Sequence, residues 1–184
     1  MLPNPLHPAI VHFPIVLAFL LPLIAAVGIW QIHRGTNPRR AWIAPLVAAV
    51  MLAASAWAAV ETGEDQDERV ERVVASKPLS AHEEMAETFL AGAAVLVLIA
   101  SVGLVGGGIG RAARIVTAAG AGALLVAAAR VGHSGGELVY RYGAAGAYTG
   151  NPGRDTATSS SAASPARAGS RSLIRTRDFE PKPR

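Results

Sequence analysis

Apolar residues fall along this chain in long blocks, not at the helical or alternating spacing of half-buried soluble elements. The first block runs from Ile15 to Trp30 without a charged residue, and three more of similar character follow. About 20 helical residues cross about 30 Å of hydrocarbon. The pattern therefore predicts four spans, at about 9–30, 41–60, 85–105 and 115–131. The fold class expected is all-α: an integral membrane four-helix bundle over residues 1–149, followed by a disordered basic tail over 150–184.

Local signals refine the four spans. Pro8 suits the first helical turn and leaves His7 near the N-cap, while Pro14 and Pro22 predict kinks in span one. Trp42 and Trp57 read as interfacial anchors of span two. The charged stretch Glu64–Ser76 carries Val70, Val73 and Val74 as a narrow apolar stripe, predicting a short helix on the membrane surface. Ser80-Ala81-His82-Glu83 reads as a capping box opening span three. Span four is rich in Ala and Gly, which lets helix backbones approach closely, and Gly132, Gly135 and Gly136 are expected to break it. Beyond Gly150 the Ser, Ala, Pro, Gly and Arg composition cannot offset its ordering entropy.

Charge and cysteine content narrow the chemistry. The formal charge of +4 belongs to the tail: residues 150–184 hold seven basic and three acidic residues, and the rest of the chain holds ten of each. The basic pI thus gives no case for nucleic-acid binding. The absence of cysteine excludes disulfides, thiolate metal sites, iron–sulfur clusters and cysteine nucleophiles. Met1–Pro5 lacks a positive n-region, so the first span is expected to stay in the mature protein. The links after spans one and three carry Arg34, Arg39, Arg40, Arg111 and Arg114 and no acid. The positive-inside bias then predicts a bacterial inner-membrane protein with both termini in the periplasm.

An even number of crossings gathers distant polar groups. The starts of spans one and three and the ends of two and four share one face, which collects His7, His12, Glu61, His82, Glu83, Glu84 and His133, with only His33 opposite. Imidazoles are costly near hydrocarbon and are the commonest metal ligands. The candidate ligands are His12, His82 and His133. His7 and His12 lie five residues apart, about 140° around a regular helix, so both cannot serve one small ion. That favours His12 as ligand and His7 as an outer-shell group, with Glu61 or Glu83 orienting an imidazole. Arg130 either snorkels or pairs with an anionic propionate, phosphate or carboxylate. The bland alternatives are interfacial histidines held by water and solvated carboxylates. No zinc-protease, P-loop, dinucleotide or catalytic-triad spacing is present.

Taken together, His7-Pro8-Ala9-Ile10-Val11-His12-Phe13-Pro14, the Thr62-Gly63 pair, His82, and Gly132-His133-Ser134-Gly135-Gly136-Glu137-Leu138-Val139-Tyr140 resemble domain-of-unknown-function family 2231. The family comprises bacterial inner-membrane proteins expected to have four helices, and the likeness covers about Pro5 to Gly146. Relatives joined or adjacent to redox domains imply a haem or electron-transfer role. This chain has no Cys-x-x-Cys-His, so covalent haem attachment is not expected.

The leading expectation is b-type haem held by two histidines, with a transition metal as the alternative, because the spacing suits a wide planar group better than a compact ion. Bis-histidine ligation leaves no open position, which points to electron transfer with a quinol or periplasmic carrier and not to a stand-alone enzyme. Two other readings stay open: a cofactor-free scaffold packing against membrane partners, and proton or cation transport through Glu61 and the histidines.

Overall fold

The computed structural model describes residues 6–148, so the tail expected over 150–184 lies outside the described residues. Among those residues every regular element is helical: α1 His7–Ile10, α2 His12–His33, α3 Pro38–Glu64, α4 Asp67–Val70, α5 Ser76–Val102, α6 Gly107–Tyr140 and a 3₁₀ turn Ala144–Tyr148. Four stretches are long and apolar enough to cross a membrane: His7–His33, Pro38–Glu64, Ser76–Val102 and Gly107–Tyr140. α2 packs on α3, α3 on α5, α5 on α6 and α6 on α2, which closes an up-down-up-down bundle.

Small residues form the seam. Ala18, Leu21 and Ala25 on α2, Ala49, Leu52 and Ala56 on α3, Phe89, Ala93, Leu96 and Ala100 on α5, and Ala121, Leu124 and Ala128 on α6 are all buried. Their three- and four-residue steps keep each apolar stripe facing its neighbours. Larger side chains such as Phe13, Phe19, Leu23, Trp30, Leu98 and Ile109 point outward. Alanine predominates at the seam, and such small residues let helix backbones approach closely when lipid, not water, surrounds them. α5 and α6 interlock reciprocally: a Cβ on Gly120 would meet Leu96 at 2.7 Å, and one on Gly92 would meet Leu124 at 3.0 Å.

The helix ends follow from local chemistry, and several differ from expectation. α1 stops at Ile10 because Pro14, four residues on, has no N–H to give the Ile10 carbonyl. Pro22 is carried inside α2 without ending it. After α2, Gly35 takes φ +92°, and Gly35 N and Thr36 N bond Ile32 O and Gln31 O in a Schellman arrangement. Asn37 caps α3, its side chain accepting from Arg39 N at 3.0 Å. The expected capping box is not formed. α5 starts earlier, at Ser76, and the Ser80 hydroxyl donates to Ser76 O at 2.6 Å inside the helix. Nor do Gly132, Gly135 and Gly136 break α6, whose 34 residues run on to Tyr140 because glycine weakens a helix without stopping it where neighbours pack. The extension, about 51 Å in all by helical rise, carries Leu138 into a second small core with Val70, Val74, Leu79 and Ala144. The short helix expected in the charged connection is present as the one turn of α4, and Val70, Val73 and Val74 pack into this second core, which makes the connection a cap on the bundle.

At the opposite end Trp42 is not an interfacial anchor. It is fully buried, and its Nε1 donates to Ala100 O at 3.0 Å, whereas Trp57 is 59% exposed. Arg114 is buried beside it, Nε donating to Gly103 O at 2.7 Å and Nη2 to Val105 O at 3.0 Å. A cation held at the C-cap of α5 and the link just beyond it offsets the negative end of that helix. Trp42 fits because Gly103 has no side chain: a Cβ there would lie 2.1 Å from Nε1. Gly103→Ala should therefore break the Trp42 bond and cost about 1–3 kcal/mol, read as earlier thermal unfolding in detergent with a shift in tryptophan emission.

Candidate functional site

The end of the bundle that carries His7 holds most of its titratable side chains, and two imidazoles are built into the helix packing there. Loss of the Pro14 donor lets α1 lean on α3, where His7 Nδ1 lies 2.8 Å from Ala59 O. A carbonyl can only accept, so Nδ1 carries the proton and donates. The ring lies over Gly63, where a Cβ would sit 3.3 Å from its Cε1. Thr62 turns its hydroxyl back to Ala58 O at 2.8 Å, leaving the Ala59 carbonyl chiefly to the imidazole.

His82 repeats the arrangement on α5. Its Nδ1 lies 2.8 Å from Ser134 Oγ, and that hydroxyl donates its one proton to Val131 O at 2.9 Å. Nδ1–H must therefore donate to Ser134 Oγ. The ring packs on Gly135, where a Cβ would stand 3.2 Å from Cε1. The two rings are within electrostatic reach of each other. In both, Nε2 is left as an unprotonated acceptor with no hydrogen-bond partner among the described residues, and neither atom is sealed from the surroundings. An imidazole whose Nδ1–H is fixed by an acceptor and whose Nε2 lone pair is free is poised to ligate.

Carboxyl groups flank the pair. Asp67 on α4 and Glu83 on α5 lie within hydrogen-bonding reach, with His7 and Glu71 close to Asp67. Burial pushes the Asp67 carboxyl above its ordinary range; the Glu83 hydrogen bond opposes this, Glu71 adds to it and His7 opposes it. Gln66 accepts a hydrogen bond from the Tyr148 hydroxyl, and Arg69 stacks 5.8 Å from the Tyr148 ring centroid. Burial also raises the Tyr148 phenol, against the pull of Arg69.

The other candidates stand apart from the pair. His12 is exposed and makes no hydrogen bond or ion pair among the described residues, and Glu61 is exposed as well. His133 and Arg130 are exposed on α6, lining a shallow open groove with Met85, Val126, Ala129, Ser134 and Glu137. Among the described residues no group of three or more His, Asp and Glu is placed to hold a metal ion. The structure thus brings His7 and His82 together with Glu83, and it leaves His12, His133, Glu61 and Arg130 outside that cluster. Asp67, Ser134 and the Ala59 carbonyl are the members sequence reading passed over. The Ser134 spacing, five residues before Val139 and beside His133, gave no motif that would single it out.

Four separated segments meet at these rings: His7, Thr62-Gly63, His82 and Ser134-Gly135. Residues 3–147 match the family model described as Predicted membrane protein (DUF2231). The chain belongs to this family. No curated protein and no solved structure matches the chain.

The raised Asp67 carboxyl sets a pH dependence. The native protein holds that proton more tightly than the unfolded chain, so the stability it confers below the ordinary carboxylate range is lost as pH rises through the raised value. Asp67→Asn should flatten the fall in unfolding temperature between about pH 4 and pH 7, measured by thermal scans of the detergent-solubilised protein.

Proposed function

We propose that His7 and His82 would hold a b-type haem and that the protein would thereby pass electrons at the membrane face carrying them. The observation behind this is the pair of Nδ1 hydrogen bonds, to Ala59 O and to Ser134 Oγ, which leave both Nε2 lone pairs free. The donor set favours haem over a bare ion. A porphyrin brings four ligands of its own and asks the protein for two, whereas a bare ion needs more side chains than the described residues bring together here. Glycine at positions 63 and 135 suits such a role, since each keeps the backbone close behind a ring. Bound there, haem would supply one-electron chemistry, and the residues would fix the tautomer and basicity of its ligands. A quinol or a periplasmic carrier is the partner class this implies.

Arg34, Arg39, Arg40 and Arg111 are exposed at the Trp42 end. That charge supports a reading with the Trp42 end in the cytoplasm and the imidazole end in the periplasm of a bacterial inner membrane. Single cysteines placed at Thr36 and Ser76 test the assignment, because the chain has none of its own. An impermeant maleimide added outside intact spheroplasts should label the second and not the first.

A second reading, a cofactor-free scaffold, draws support from the completeness of the internal hydrogen bonding. Among the described residues no buried side-chain nitrogen or oxygen lacks a partner. Transport has less behind it, because Arg114 and Thr117 are the buried polar residues of the described chain and neither is an acid.

Protein purified in mild detergent should show a Soret band that shifts on dithionite reduction. The band should vanish in His7→Ala and in His82→Ala and persist in His12→Ala and His133→Ala. A colourless wild type, after expression with haem precursor supplied, would sink the haem reading and leave the scaffold.

A further inference from the structure

The groove on the outer side of α5 and α6 carries a charge that the bundle does not neutralise. Ile115 to Ala129 is the uncharged part of α6, fifteen residues between Arg114 and Arg130. At helical rise these cover about 22 Å, short of the about 30 Å of a hydrocarbon core. One of the two flanking arginines must therefore sit within, or at the very edge of, hydrocarbon depth. Arg114 is buried in protein and bonded to Gly103 O and Val105 O. Among the described residues Arg130, exposed on the groove, has no hydrogen bond, ion pair or ring contact.

The surroundings of Arg130 fit one kind of occupant. Val126, Arg130, His133 and Glu137 follow one another at steps of four, three and four, so they form one stripe along α6, with Met85 of α5 as the facing wall. Val126, Ala129 and Met85 make the membrane-ward part apolar, and His133 adds a second ring donor or cation one turn outward. Glu137, the acid at the outer end, is already paired with Arg141 at 3.2 Å, which offsets its repulsion of an anion. Side chains on a helix lean toward its N-terminus, which for α6 is the bilayer interior. Arg130 is thereby held back from outside water, and an anion brought by the lipid itself is the economical partner.

We infer that Arg130 and His133 form a binding site for the phosphodiester headgroup of an anionic phospholipid, whose acyl chain lies along Met85, Val126 and Ala129. Guanidinium takes two phosphate oxygens at once, and the apolar wall accepts the chain. The site is independent of the haem reading, since its residues do not include His7 or His82. It touches the imidazole cluster only through Ser134, which lines the groove and accepts from His82.

Native mass spectrometry of the full chain, with phosphatidylglycerol or phosphatidylcholine added to the detergent, tests the site. The wild type should retain phosphatidylglycerol about fivefold better than phosphatidylcholine, the ratio that about 1 kcal/mol from one arginine provides. Arg130→Gln should remove the preference, His133→Gln should reduce it, and Arg111→Gln, altered at the opposite end, should keep it. Equal retention of the two lipids by the wild type overturns the proposal, as does an unchanged preference in Arg130→Gln. If Arg130→Gln does not fold, the wild-type ratio and its loss as salt is raised decide the matter alone.

Discussion

Close approach of helix backbones is the constraint on which everything else in this protein rests. Lipid is as apolar as leucine, so helices in a bilayer gain little by hiding aliphatic surface and associate through dispersion contacts and hydrogen bonds. Alanine at the seam positions of all four long helices, with glycine at 92 and 120, brings the backbones near enough for both. The site is a product of that nearness. An imidazole reaches a carbonyl or a hydroxyl of the adjoining helix only where those helices almost touch, as at Ala59 and at Ser134.

Polar side chains at both ends of the bundle are satisfied in one way, by carbonyls or hydroxyls that helices expose, yet the two ends differ in what remains. Indole nitrogen has a single proton, and once Trp42 has donated to Ala100 O it has nothing further to offer. Arg114 is fastened to the end of α5 and shielded by its burial. Those two side chains are closed chemically. An imidazole has two nitrogens on opposite sides of its ring, so His7 and His82 can each hold the fold together with one and keep the other. The choice of residue type, with no difference in the style of packing, leaves a spare nitrogen on each of these two rings.

Much of the architecture was legible because apolar blocks of membrane length have few alternative explanations, and the basic links and even crossing number followed from them. Helix ends were less so. Ser80 and Glu83 satisfy the spacing of a capping box, but the chain is already helical from Ser76, a start that no side chain caps. Gly132, Gly135 and Gly136 read as breakers, although α6 runs through them and Gly135 is where the His82 ring lies. Trp42 and Trp57 look alike in sequence, and only the vacancy made by Gly103 distinguishes the buried one from the exposed one. The five-residue spacing of His7 and His12 did indicate that they look in different directions. Which of them turns inward depends on the break at Val11 and on the Ala59 carbonyl 52 positions away, and neither is encoded locally.

The join between α1 and α2 has a mechanical consequence. Pro14 withholds a donor from Ile10, so the first turn is tied to its own span by one bond fewer than a continuous helix would have. His7, by contrast, is pinned to α3. When a bilayer thickens or thins and α2 changes its tilt to match, the strain is taken up at that joint, and the ring keeps station with its neighbour. Its position is registered against protein instead of lipid, which insulates it from the composition of the membrane it sits in.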